Sequence, residues 1–175
     1  QTCALPIFRG YRERLERLLA RSKEILRPMM NRARNNPRRI VFPEGTNPKV
    51  LRAAQILVDE GICKPILVGE EWKIQNRAQN HNIDLSGMEI AEPREDERFE
   101  RYVEALWARR QRRGMTKNSC RAAIHRHTHF AAMMVAEGDA DGLLGGLLGP
   151  YAQTIRPALQ LVGVDPAVSV VSGVY

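Results

Sequence analysis

Long apolar runs are missing from this 175-residue chain. No stretch approaches the ~18 residues that a membrane-spanning helix needs, and no signal-peptide pattern occurs. Cysteine is scarce: Cys3, Cys63 and Cys120 are widely spaced and odd in number, which does not make a disulfide framework. No aromatic stacking set, nucleic-acid motif, internal repeat or low-complexity tract is present, and no Gly-x-Gly-x-x-Gly dinucleotide unit. These absences argue against membrane and nucleic-acid partners and against a cofactor held by the chain itself. They leave the expectation of a reduced, cytoplasmic protein. At this length, 43% hydrophobic residues can furnish the core of one ordinary domain.

Positive charge is plentiful, but only at one end. The formal net charge is +7, yet residues 1–39 hold eleven Lys and Arg against three acids, and residues 40–175 hold sixteen against seventeen. The globular part is therefore close to neutral and the basicity belongs to an arm. Residues 1–7 show no periodicity and read as an unrelated extension. In residues 8–37 the positions Tyr11, Leu15, Leu18, Ser22, Ile25, Met29 and Ala33 recur at helical spacing, with Arg and Glu opposite. Without a bulky aromatic face this is expected to be a basic helical linker packed on a partner domain rather than a membrane-surface helix. Pro28 should end or kink it near Arg27.

Beyond Pro37 the pattern becomes that of β-α-β units. Arg39 to Phe42 reads as a strand, turned by Pro43-Glu44-Gly45; Asn47 and Pro48 then open a helix that stops at Gly61. Further strands are expected at Pro65–Val68, Met88–Ala91, Ala140–Gly146 and Val168–Val174. A polar helix should follow Gly69, a long one should run from about Glu95 to Arg113, and a second should run from a Thr116 cap to Glu137. Such an order requires a mostly parallel sheet with helices on both faces, a three-layer α/β fold. The chain stops at Tyr175 inside an apolar strand, so residues 38–175 are expected to be a partial domain, incomplete at the carboxyl end.

The segment Gly138-Asp-Ala-Asp-Gly142, the glycines up to Gly146, and Thr154-Ile-Arg-Pro-Ala-Leu-Gln160 combine a strand, a glycine-lined bend and a helix opening near an arginine. Gly142, Gly145 and Gly146 let backbone approach an anion, and the amides opening the next helix face it. Arg156 can hold a phosphate by two parallel hydrogen bonds, with Asp141 orienting it and Thr154 beside it. The same residues admit a plainer reading, in which the glycines only allow tight packing and Arg156 is solvated. His125, His127 and His129 form an alternating run. His125 and His129 fall at a workable zinc spacing, but a third ligand at a companion spacing is absent, so no metal is assigned. Cys63 and Cys120 lack a basic context that would make a reactive thiol.

Arg39-Ile-Val-Phe-Pro-Glu-Gly45, Val50-Leu-Arg-Ala-Ala54, Phe130-Ala-Ala-Met-Met-Val135 and the two segments around Asp141 and Arg156 occur in one order. In that order they strongly resemble the phosphate acetyl/butyryltransferase family over residues 38–175. The basic segment before them resembles the junction where such a domain follows a bacterial NADP-dependent malic enzyme. The resemblance implies the phosphotransacetylase fold, akin to that of isocitrate dehydrogenase, and an inherited anion site at Asp141, Gly142, Gly145, Gly146, Thr154 and Arg156. It also raises coenzyme A phosphates as a role for Arg109 to Arg113, although a solvated helix end suffices. Acyl-transferring members usually carry Ser where this chain has Gly145, and a His-Ser/Thr pair near Leu147 and Leu148. Their Ser-Arg and Asp catalytic residues would lie past Tyr175, so no catalytic residue is assigned.

Three functions follow as expectations. The first is the C-terminal domain of a malic enzyme, beside an upstream malate-oxidising domain, binding acetyl-CoA or a related metabolite and supporting homo-oligomers. The parent would use NADP and a divalent metal, Mg or Mn. The second is an acyltransferase working between coenzyme A and phosphate. The third is a purely structural interaction module. The basic connector and the apolar Leu147 and Leu148 place the first ahead.

Overall fold

The computed structural model describes residues 26–164. Its sheet is built from β1 (Arg38–Phe42), β2 (Cys63–Val68), β3 (Glu89–Ala91) and β4 (Gly142–Leu143). The strands lie in the order β3-β2-β1-β4 and each neighbouring pair is parallel. The expected fold class is the one observed. The chain leaves β1 toward one edge through α2 (Pro48–Asp59), β2, α3 (Glu71–Asn80) and β3. It then crosses back through α4 (Phe99–Arg110), a 3₁₀ turn (Gln111–Arg113), α5 (Lys117–Ile124) and α6 (His127–Ala136) to β4, and continues into α7 (Tyr151–Leu161).

Alternation along the strands divides the interior in two. Phe42 and Leu67 turn to one face, where they meet Leu51, Ala54, Ile74 and Ala78 of α2 and α3. Val41, Ile66, Val68 and Ala91 turn to the other and meet α4, α5 and α6. Both faces are thus covered, as a parallel sheet requires. Within α6, Phe130, Ala131, Ala132, Met133 and Met134 are all wholly buried, so this helix is core on every side rather than a surface helix with one apolar stripe. Tyr102 stacks edge-on against Phe130, with ring centroids 5.1 Å apart.

Several boundaries differ from the sequence reading. Residues 26–35 form α1, with Pro28 in its first described turn, a position that proline tolerates; the residues before 26, on which the expected end or kink near Arg27 also bears, lie outside the described residues. Helix α4 begins at Phe99 because the Asp96 carboxylate accepts from both the backbone and the side chain of Arg98, closing a turn there. The helix expected from Thr116 to Glu137 is two. Thr116 and Ser119 do form a reciprocal capping box, but Arg126 is extended (φ −80°, ψ 127°) and redirects the chain so that α6 enters the core. The strand expected over Ala140–Gly146 pairs only at Gly142 and Leu143, since the chain turns away at Gly146, where φ is +114°. The strand expected at Val168–Val174 lies outside the described residues. Among the described residues no helix is long and apolar enough to cross a membrane.

Two glycines do different work. A Cβ on Gly45 would sit 2.8 Å from the Val68 carbonyl oxygen, so backbone occupies the room a side chain would need. Gly61 faces open space and merely supplies a left-handed φ of +66° after α2. In urea denaturation Gly45→Ala is expected to cost about 2 kcal/mol or more through overpacking. Gly61→Ala should cost only about 1 kcal/mol, the ordinary left-handed penalty. Equal losses would contradict the close contact at Gly45.

Candidate functional site

The carboxyl ends of β1 and β4 meet beneath the start of α7. There Pro43-Glu44-Gly45 turns the chain out of β1, and Gly145-Gly-Leu-Leu-Gly-Pro150 carries it from β4 to α7. The two segments fit closely, since a Cβ on Gly145 would lie 2.7 Å from Cγ of Pro43. Glu44 reaches across: its Oε2 accepts from the Leu147 amide at 3.0 Å and its Oε1 from the Leu148 amide at 2.9 Å. A groove of about 460 Å³ opens beside this contact, between Phe42 and Val50 on one side and Leu144 and Leu147 on the other, with Lys49 at its rim. Thr154 faces the glycines, its Oγ1 3.8 Å from where a Cβ on Gly146 would stand.

The anion-site residues expected from sequence therefore separate into three places. Gly145, Gly146 and Thr154 come together as described. Gly142 belongs to the ladder, opposite Ile40, where a Cβ would approach the Ile40 side chain to 3.2 Å. Asp141 does not orient Arg156. Its Oδ2 accepts from the Arg39 amide at 2.8 Å and from Arg39 Nε at 3.4 Å, with Arg38 3.8 Å from Oδ1. The bond from the Arg39 amide, with Arg39 and Arg38 beside it, holds the Asp141 carboxyl below its usual range. Asp141 thus ties the start of β1 to β4.

Arg156 points the other way, into a cleft of about 650 Å³. Gln153, Arg156, Pro157 and Gln160 line it from α7, at the spacing of one helix face. Arg113 enters from the turn after α4 and Arg126 from the break between α5 and α6. None of these three guanidinium groups has an ion-pair partner among the described residues. Ser119 and Thr128 add hydroxyls to the wall. His129 also lines the cleft. Burial, with Arg126 adding to it, pushes its pKa down to about 4, so the ring is neutral at pH 7. Its Nδ1 is buried and lacks a hydrogen-bond partner.

Arg109 lies outside this cleft and stays exposed at its helix end, but it is bonded there. Its guanidinium donates to the Leu161 carbonyl at 2.9 Å, the Ala136 carbonyl at 3.3 Å and Glu137 Oε1 at 2.6 Å, bracing the ends of α6 and α7 together. The histidine run is split by the break at Arg126: His125 follows α5 and stacks on Phe99 at 4.6 Å, while His127 opens α6. Among the described residues no group of three or more His, Cys, Asp or Glu is placed to hold a metal ion. Burial raises the Cys63 and Cys120 thiols, which keeps both protonated and poorly nucleophilic.

Two residues of consequence were not singled out from sequence. Glu44 sits directly after β1, at the strand end where sites in parallel sheets form, and that position was the available signal. Arg126 was not visible because residues 116–137 read as one helix, with no break at that position.

The family model described as phosphate acetyl/butaryl transferase matches residues 24–175. The phosphate acetyltransferase of Nitratidesulfovibrio vulgaris is 34% identical over 181 residues, covering 98% of this chain and 26% of that protein. The NADP-dependent malic enzyme of Salmonella typhimurium is 34% identical over 148 residues, covering 82% of this chain and 20% of that protein. Among solved structures, EutD phosphotransacetylase from Staphylococcus aureus superposes with a TM-score of 0.78 at 32% identity, covering 84% of this chain and 44% of that one. The chain spans less than half the length of each of these relatives.

The neutral His129 has a consequence for stability. Its folded pKa is depressed from about 6.5, so as pH falls from 6.5 toward 4 the unfolded chain takes up a proton that the folded chain refuses. Stability is expected to decline across that window by up to about 3 kcal/mol. His129→Asn should flatten the decline in urea melts at stepped pH, and an unchanged slope in that variant would count against a buried neutral ring.

Proposed function

The chain belongs to the phosphate acetyl/butaryl transferase family, and from that membership we propose that it binds the phosphates of coenzyme A in the cleft beneath α7. The parent protein, on this proposal, moves an acyl group between coenzyme A and inorganic phosphate. The observation that carries the reading is the convergence of Arg113, Arg126 and Arg156, from three separate elements, on one cleft of about 650 Å³. Guanidinium forks matched to phosphate oxygens, with the Thr128 hydroxyl beside them, suit a ligand with several phosphate groups. In the transfer itself an oxygen of phosphate attacks the thioester carbonyl carbon, the carbon–sulfur bond breaks, and sulfur leaves as thiolate. The contribution of this chain to that step is to bind and orient the carrier. Thr154 beside Gly145 and Gly146 offers a hydroxyl at the other side of α7.

A second reading is favoured by one feature. Leu147 and Leu148 are 53% and 64% exposed in the loop where hydroxyls would serve acyl transfer. With malic enzymes among its relatives, the chain then acts as a coenzyme A-sensing domain that also supports assembly of a malate-oxidising parent. In that parent NADP and the divalent metal belong to regions outside this chain. The full-length protein separates the two: acetyl phosphate formed from acetyl-CoA and phosphate supports the transferase, and malate-dependent NADPH formation supports the fusion.

Calorimetric titration of the 175-residue chain with coenzyme A tests the cleft common to both. Arg156→Gln and Arg126→Gln should each weaken binding about tenfold or more, the worth of a charged hydrogen bond. Exposed Arg94→Gln, remote from the cleft, should leave it unchanged. Binding indifferent to Arg156 and Arg126 would remove the reading.

A further inference from the structure

The amides of Leu147 and Leu148 are consecutive and both point at the two oxygens of Glu44, at 3.0 and 2.9 Å. Successive backbone amides aimed at one pair of oxygens are how a chain binds a phosphate or a carboxylate ligand. Here the chain supplies the anion itself, from a residue 103 positions earlier. The carboxylate is held in place from both sides. Pro43, with its fixed φ, abuts Gly145 with no room for a side chain between them. The Gly45 amide donates to the Val68 carbonyl at 3.2 Å, and its Cα lies too close to that backbone for a Cβ. The turn therefore presents Glu44 to the loop from a rigid base.

We propose that Glu44 is a positioning residue that serves as the resident anion of the loop: it holds residues 145–148 in place through the Leu147 and Leu148 amides and denies those amides to phosphate. An external anion reaches these amides only when Glu44 is removed. The loop then contributes shape and the apolar surfaces of Leu144 and Leu147, while anions are recognised by Arg113, Arg126 and Arg156 on the far side of α7. Glu44 acts on the loop alone, whether the parent transfers acyl groups or oxidises malate. The test reads the loop amides rather than coenzyme A binding, so the two readings can fail separately.

Proton–nitrogen spectra of the 175-residue chain, titrated with sodium acetate and with inorganic phosphate, decide it. In the unchanged chain neither anion should move the Leu147 and Leu148 amide resonances saturably. In Glu44→Ala acetate should move both saturably, back toward their positions in the unchanged chain, which a merely structural loss would not allow. A saturable shift of these amides by either anion in the unchanged chain overturns the proposal. So does a Glu44→Ala protein, folded by circular dichroism, whose loop ignores acetate. Should that variant not fold, Glu44→Gln decides: it keeps one acceptor oxygen, so one amide should hold its position while the other moves and responds to acetate. Two amides unmoved by that substitution overturn the proposal equally.

Discussion

At the carboxyl edge of the sheet, backbone meets backbone with no room for side chains between, and the candidate site is arranged around that contact. Gly45 lies against the Val68 carbonyl and Gly145 against Pro43. Each closes only because one partner lacks a Cβ. Between them Glu44 bonds two amides of the β4–α7 loop. These bonds set where α7 begins, and hence that Thr154 faces the glycines while Arg156 faces away. A charge-assisted pair of this kind is worth more than a neutral bond, particularly where the groups are half removed from water.

The second arrangement depends on the break at Arg126. The extended residue turns α6 inward, where five consecutive residues are wholly buried. The same break exposes the Arg126 guanidinium to the cleft shared with Arg113 and Arg156. One local departure from helical geometry thus provides both a central core helix and a third positive group beside α7. Arg109 then fixes the distal ends of α6 and α7 by bonding carbonyls of both, which keeps the wall carrying Arg156 in register with the wall carrying Arg126.

Much of this fold was legible in residue order. The β-branched runs after Arg39 and Pro65, the Asn47 cap and Pro48, and the Thr116 cap each stand where local chemistry placed them. The parallel sheet covered on both faces follows from their alternation. What could not be read was long-range pairing. Nothing in the sequence near Asp141 distinguishes Arg39 from Arg156 as its partner, and the choice is made by strand register, β1 beside β4. The glycines of the loop announced close approach correctly, but what approaches Gly145 is Pro43 of the same chain. The break at Arg126 was likewise hidden, because an apolar run from Phe130 to Val135 suits a buried helix whatever precedes it.

Taken together, the contacts divide the region beneath α7 into a loop filled by a carboxylate of the chain and a cleft lined with arginine. On the proposals above, anionic ligands belong to the second and not the first. A crystal structure of the chain with coenzyme A tests this most directly. Phosphate oxygens are expected within hydrogen-bond distance of Arg113, Arg126 or Arg156, with both Glu44 bonds to the loop retained. Phosphate seated on the Leu147 and Leu148 amides, with Glu44 displaced, would contradict it.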